Sequence, residues 1–198
     1  MTTQIIQFPN DGYIRGSLDT ELFNDLLEEA VNYQSREIRI TGVKKSDGSQ
    51  TCPHYNVSDE SSKRLEDFFL PYITHFREHF NFIQSLKFLN SDSPFVFDTP
   101  WFNIQKPNDY LPVHNHHGVL SYTVWLQLPV SSEFVFSYST ITGRPDDYRI
   151  NLTPENNGEF ILFPATLNHA VYPYDSNDLT ENRISLSGNI CLQGGGVQ

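Results

Sequence analysis

The sequence predicts a mainly β fold with flanking helices, a jelly roll or double-stranded β-helix, and three observations predict it. The composition is rich in aromatics and poor in alanine: 15 Phe and 10 Tyr stand against only Ala30, Ala165 and Ala170, which favours pleated strands over a helix bundle. From Phe95 onward, eight short apolar segments alternate with turn residues, as in a sandwich or barrel. Helical periodicity is confined to the N-terminal part. At 198 residues and 38% hydrophobic content the chain is read as a single domain that can bury a core without staples. It is expected to have a helical and mixed N-terminal layer over 1–91, a double-stranded β-helix over 92–193 and a flexible tail over 194–198.

In chain order, residues 4–8 and 13–15 read as short strands. Residues 18–33 read as a helix, because Leu22, Leu26, Leu27, Ala30 and Val31 recur at helical spacing and Ser17 or Asp19 can cap it. Residues 36–41 alternate into Gly42 like a strand, and 44–50 form a polar turn. The strongest helical signal covers 58–84. Ser58 opens it, and Leu65, Phe68, Phe69, Tyr72, Ile73, Phe76, Phe80 and Ile83 make an apolar stripe. Pro71 is expected to kink or split this helix. Strands are then expected at 95–106, 110–116, 120–128, 133–138, 148–152, 159–163, 169–172 and 183–192. Pro129, Gly143-Arg144-Pro145, Asn156-Asn157-Gly158 and residues 173–180 punctuate them.

A net charge of −11, from 24 acidic and 13 basic residues, argues against nucleic acid as the partner. No apolar run approaches the roughly 18 residues of a membrane span, and Met1 to Asn10 lack the basic and apolar regions of a signal peptide. Cys52 and Cys191 form no CxxC and are read as reduced thiols of a cytoplasmic protein, with a disulfide between them as the alternative.

The chemistry-bearing residues lie in the β half. In Val113-His114-Asn115-His116-His117-Gly118, strand alternation puts His114 and His116 on one face, two imidazoles placed to chelate a metal. A third ligand must come from another strand. His169, which opens a strand after the Phe163-Pro164 turn, is the natural candidate. Fourteen residues later comes Arg183, sharing a strand face with Ser185. Arg183 is expected to face a pocket and to need a carboxylate partner.

The order His-x-His, Phe-Pro-x(4)-His, Arg-x-Ser resembles the Fe(II)- and 2-oxoglutarate-dependent oxygenases. It is most similar to the prolyl-4-hydroxylase-like members of bacteria and of phages of marine cyanobacteria. The matching segments are Trp101-Phe102-Asn103, 112–129, 158–173 and 183–190; the first ninety or so residues carry no matching motif. The resemblance implies a double-stranded β-helix and, as cofactors, Fe(II) and 2-oxoglutarate. His114 and His169 would be metal ligands, and Arg183 with Ser185 would hold the far carboxylate of 2-oxoglutarate. The implied activity is O2-dependent hydroxylation of a C–H bond in a peptide (prolyl) or small-molecule substrate, releasing succinate and CO2, in the cytoplasm, or the host cytoplasm if virus-encoded.

The departure is at His116, where the family usually carries Asp or Glu. Three imidazoles still hold a divalent ion, and a dianionic 2-oxoglutarate compensates the missing charge. Two alternatives stay open. His116-His117-Gly118 can be read as the His-x-Gly of halogenating members, or Asp109 can fold in as the carboxylate. Two further functions remain beside the oxygenase: a three-His zinc hydrolase or isomerase on a cupin-like barrel, and a non-catalytic jelly-roll binding module. His75 and His79, four apart on the second helix, read as polar face residues because no HExxH pattern surrounds them. Trp101, Asn103 and Gln105 share one strand face, either in the pocket or in the core. The N-terminal helices are expected to cover one face of the barrel and to shape access or a homodimer contact.

Overall fold

The computed structural model describes residues 12–32, 38–39, 52–80, 94–176 and 181–193. Its elements are β1 (Ile14–Ser17), α1 (Thr20–Val31), β2 (Ile38–Arg39), β3 (His54–Asn56), α2 (Asp59–His79), β4 (Phe95–Phe97), β5 (Trp101–Gln105), β6 (Leu111–His114), β7 (Leu120–Gln127), β8 (Ser132–Ser139), β9 (Pro145–Leu152), β10 (Glu159–Pro164), β11 (Asn168–Val171) and β12 (Arg183–Leu192). A 3-10 turn, Pro154–Asn156, precedes β10. All pairings are antiparallel. The larger sheet runs β1-β10-β7-β12-β5-β3-β2, with β4 also on β12, and the smaller runs β6-β11-β8-β9. These are the two facing sheets of a double-stranded β-helix.

Alternation along the strands of the larger sheet separates two environments. Phe102 and Ile104 of β5, Leu120, Tyr122, Val124 and Leu126 of β7, Phe160 and Leu162 of β10, and Ile184, Leu186 and Ile190 of β12 pack in one cluster with Leu22, Leu26 and Ala30 of α1 and Leu65, Phe69, Ile73 and Phe76 of α2. The two helices thus cover the outer face of that sheet. The opposite face of the same strands looks toward the smaller sheet. There Trp125, Ile161 and Phe163 meet Phe134, Phe136, Ile150 and Leu152, and most of the remaining inward positions are polar, with Trp101 among them.

Local chemistry sets the helix ends. The Asp19 carboxylate caps α1 by accepting the Leu22 N–H at 2.9 Å, and the Ser58 hydroxyl caps α2 by accepting the Ser61 N–H at 3.3 Å. Of the kink or split expected at Pro71, the split does not occur, and α2 runs through it. Pro71 sits on the exposed face, where water can satisfy the carbonyl that loses its N–H partner, while Phe69, Ile73 and Phe76 anchor both sides.

Two predicted strands are corrected. The single strand over 95–106 is broken by Asp98-Thr99-Pro100 into β4 and β5, because Pro100 has no N–H for the ladder. The strand over 110–116 ends at His114, so His116 lies in the β6–β7 turn. The proposed strand at 4–8, the turn at 44–50, residues 81–84 of the second helix and the tail at 194–198 fall outside the described residues. Among those described, both cysteines are free thiols, and no helix is long and apolar enough to cross a membrane.

Candidate metal centre

His114 ends β6, and register pairs it directly with His169 of β11. His116 follows two residues later, its N–H held by the Ala165 carbonyl at 2.9 Å. The three imidazoles converge: ring centroids are 4.3 Å apart for His114 and His169, 5.0 Å for His114 and His116, and 5.0 Å for His116 and His169. One ring nitrogen from each lies within 4.8 Å of the others.

The backbone sets two of the tautomers. His114 Nδ1 lies 2.7 Å from the Pro112 carbonyl and His169 Nδ1 lies 2.9 Å from the Leu167 carbonyl. A carbonyl only accepts, so both Nδ1 atoms carry the proton and both Nε2 lone pairs are free. Burial, with the neighbouring imidazoles, pulls His169 down to about 3 and His116 down to about 4. Neutral, deprotonated imidazole is the metal-binding form. His169 is further fixed between aromatic rings, stacked on Phe134 at 5.4 Å and edge-on to Phe163 at 5.0 Å.

A cavity of about 340 Å³ opens beside the cluster, between the two sheets. Arg183 lies in its wall, 2% exposed. Its Nε donates to Gln105 Oε1 at 2.9 Å, one terminal nitrogen donates to the Tyr172 carbonyl at 2.9 Å, and the guanidinium lies 4.8 Å from the Tyr174 ring. The other terminal nitrogen has no hydrogen-bond partner, and neither does Gln105 Nε2. Arg183 faces the cavity as expected, held from behind by the neutral acceptors Gln105 Oε1 and the Tyr172 carbonyl. Burial lowers its pKa to about 10, and it remains a cation at neutral pH. Ser185, next on the same face, accepts from Asn103 Nδ2 at 3.3 Å, and the same nitrogen donates to Ser187 Oγ at 3.0 Å.

The other candidates separate cleanly. Asp109 is buried, but its carboxylate accepts the Lys106 N–H at 3.0 Å and it does not group with the histidines. His117 turns outward to the Asp98 carboxylate. Gly118 is required by the turn: its φ is +100°, and a Cβ there would meet the Ile190 carbonyl at 2.9 Å. His75 and His79 are exposed, and His79 Nδ1 donates to the His75 carbonyl at 2.9 Å. Asn103, Gln105 and Trp101 all line the cavity.

Tyr174 was missed by sequence reasoning. Its hydroxyl accepts the Arg183 N–H at 3.1 Å and its ring braces the guanidinium, yet it follows Pro173 in a stretch with no periodicity to mark it.

The donor set fits a divalent ion of the first transition row, since three neutral imidazoles on one side leave the other side open to the cavity. The unpartnered Arg183 nitrogen fits a carboxylate at the far end of that cavity. Residues 99–189 match the model of a family described as "Putative 2OG-Fe(II) oxygenase". None of the curated proteins compared with the chain matches it. Among solved structures, the α-ketoglutarate-dependent epimerase SnoN from nogalamycin biosynthesis is 17% identical with a TM-score of 0.60, over 95% of this chain and 87% of that one. A Pseudomonas putida prolyl-4-hydroxylase is 16% identical with a TM-score of 0.58, over 93% of this chain and 94% of that one. The viral collagen prolyl hydroxylase of Paramecium Bursaria Chlorella virus-1 is 15% identical with a TM-score of 0.51, over 90% and 94%. The β core is thus similar to the 2OG-Fe(II) oxygenases over 99–189, and the fold of the chain is that of these solved enzymes.

Proposed function

We propose that this chain is an Fe(II)- and 2-oxoglutarate-dependent dioxygenase that hydroxylates a C–H bond of a peptide or small-molecule substrate. His114, His116 and His169 hold the metal, and Arg183 with Ser185 receives the distal carboxylate of 2-oxoglutarate. The observation that carries this reading is the buried guanidinium nitrogen of Arg183, unpartnered in a cavity that also contains three convergent imidazoles. A buried donor without a partner is costly, and a dicarboxylate reaching from the imidazoles to Arg183 removes that cost. A zinc hydrolase leaves the same nitrogen unexplained.

When bound, ferrous iron and 2-oxoglutarate supply the oxidant, with succinate and CO2 as co-products. The chain supplies position and dryness. The Pro112 and Leu167 carbonyls aim two imidazoles by holding their Nδ1 protons. Gln105 and Tyr172 fix the guanidinium plane so that its remaining nitrogen is presented without loss of side-chain freedom. Trp125, Phe134 and Leu152 form an apolar wall that limits water at the reacting centre. The neutral triad leaves the cation's full charge for the dianionic cosubstrate.

The prolyl hydroxylases among the similar structures make peptidyl proline the first substrate class to test. With Fe(II), 2-oxoglutarate, O2 and a panel of proline-containing peptides and small molecules, succinate is measured against added substrate. Substrate-stimulated succinate that disappears without Fe(II) supports the reading. Zinc-dependent hydrolysis with no succinate from any substrate overturns it.

A further inference from the structure

We propose that Asp98, His117 and Cys191 form a second metal site on the rim of the barrel, taking zinc or another divalent cation of similar borderline softness. One carboxylate oxygen, one imidazole nitrogen and one thiol sulfur lie within 4.8 Å of one another. They come from three different parts of the fold. Asp98 follows β4, His117 sits in the β6–β7 turn, and Cys191 is near the end of β12.

The fold brings these three groups together by design of the backbone. β4 pairs with β12, so Cys191 lies opposite Val96, and the Asp98 N–H donates to the Asn189 carbonyl at 3.0 Å. The turn carrying His117 lies directly on β12. The Val119 N–H donates to the Ile190 carbonyl at 2.8 Å, and a Cβ at Gly118 would sit 3.1 Å from the Cys191 sulfur. Glycine at 118 is what permits that approach. His117 Nε2 and Asp98 Oδ2 are already 2.6 Å apart, and the proton between them is the one a cation displaces.

The donor set shares no residue with the histidine cluster: His117 is exposed at the rim of the cavity and bonds Asp98, while His116 groups with His114 and His169. Mixed sulfur, nitrogen and oxygen donors suit zinc rather than magnesium or calcium. A cation here ties the β6–β7 turn to β4 and β12. That turn carries His116 and adjoins His114, so the rim cation acts as a clasp on the imidazoles. The clasp requires no particular chemistry in the cavity and stands apart from the oxygenase reading.

Cobalt(II) is the probe, because thiolate ligation to it gives an intense near-ultraviolet charge-transfer band that imidazole and carboxylate ligands do not give. It is titrated into the full metal-free chain without oxygen. The band is expected in the wild type and in His169→Ala, and is expected to be lost in Cys191→Ser and in His117→Ala. A second readout needs no variant: Zn(II) at ten times its apparent dissociation constant slows alkylation of Cys191, followed on its own peptide by mass spectrometry, about tenfold. No band in the wild type with cobalt in excess, a band that survives Cys191→Ser or His117→Ala, or an alkylation rate indifferent to zinc each overturns the site.

Discussion

Arg183 shows how much one side chain can say. Its surroundings leave one guanidinium nitrogen facing the cavity without a partner, so binding a carboxylate there completes a buried, charge-assisted pair. Removing one partner of such a pair typically costs about 2–5 kcal/mol, roughly 30-fold or more in Kd. Arg183→Ala is therefore expected to weaken 2-oxoglutarate binding by at least that factor, measured calorimetrically on the Fe(II)-loaded protein without oxygen. Arg183→Lys should recover little, because an ammonium cannot keep the Gln105 and Tyr172 bonds while also meeting the ligand. Wild-type affinity in both variants would remove Arg183 from the site.

Cys52 lies deeper than Cys191, which is only partly buried. Fully buried, Cys52 has its thiol pushed up to about 12 by desolvation. The folded chain keeps a proton that the unfolded chain releases above pH 9. That contribution to stability is intact below pH 9 and is lost as pH rises toward 12. Thiol labelling at pH 8 should modify Cys191 first and reach Cys52 only with global unfolding. Equal labelling of both in the native protein would contradict the burial.

At this level the sequence was readable where alternation governs. His114, His169, Arg183 and Ser185 could be placed on strand faces by counting in twos. Tyr174 and the Pro112 and Leu167 carbonyls could not, because irregular segments and backbone acceptors leave no periodic trace.

The strands carry the division between core and site. In β12, Ile184, Leu186 and Ile190 join the cluster packed by the helices, while Arg183, Ser185, Ser187 and Asn189 line the cavity. Register puts Gly188 opposite Tyr122, and a Cβ there would come within 2.4 Å of the tyrosine ring. Gly188→Ala is expected to destabilise the fold by about 1–3 kcal/mol through overpacking, read from a lowered urea midpoint. An unchanged midpoint would mean that the Tyr122 ring has room to move. Phe69 of α2, with no exposed surface, packs 4.2 Å from the Tyr122 ring and 5.2 Å from that of Phe160. Phe69→Ala should cost about 3–5 kcal/mol, and a loss below 1 kcal/mol would show that α2 does not anchor on the sheet.

Helix periodicity located both helices because each buries one stripe. Capping chemistry marked Ser58 as the start of α2 and left Ser17 and Asp19 open for α1, where Asp19 is the cap. Local rules missed the break at Pro100, and they left a split open at Pro71 that does not occur. In each case, whether the missing N–H faced a sheet partner or water decided the outcome, and a single sequence does not display that.

Across the described residues, two sheets and two helices divide the work. The helices bury the outer face of the larger sheet, the apolar half of the interior holds the sheets together, and the polar half opens as the cavity. The double-stranded β-helix was legible from strand count and turn spacing. The joining of β1, β2 and β3 from the N-terminal part to the same sheet as β5 and β12 was not, since pairing between distant segments is a tertiary choice.

The decisive measurement is an anaerobic titration of the metal-free protein with Fe(II) and 2-oxoglutarate, followed by visible absorption. A weak charge-transfer band that requires both components and is abolished in His169→Ala and in Arg183→Ala is the predicted result. Fe(II) binding with no band at saturating 2-oxoglutarate, or a band that persists undiminished in both variants, would contradict the assignment of the three histidines and Arg183 to one site.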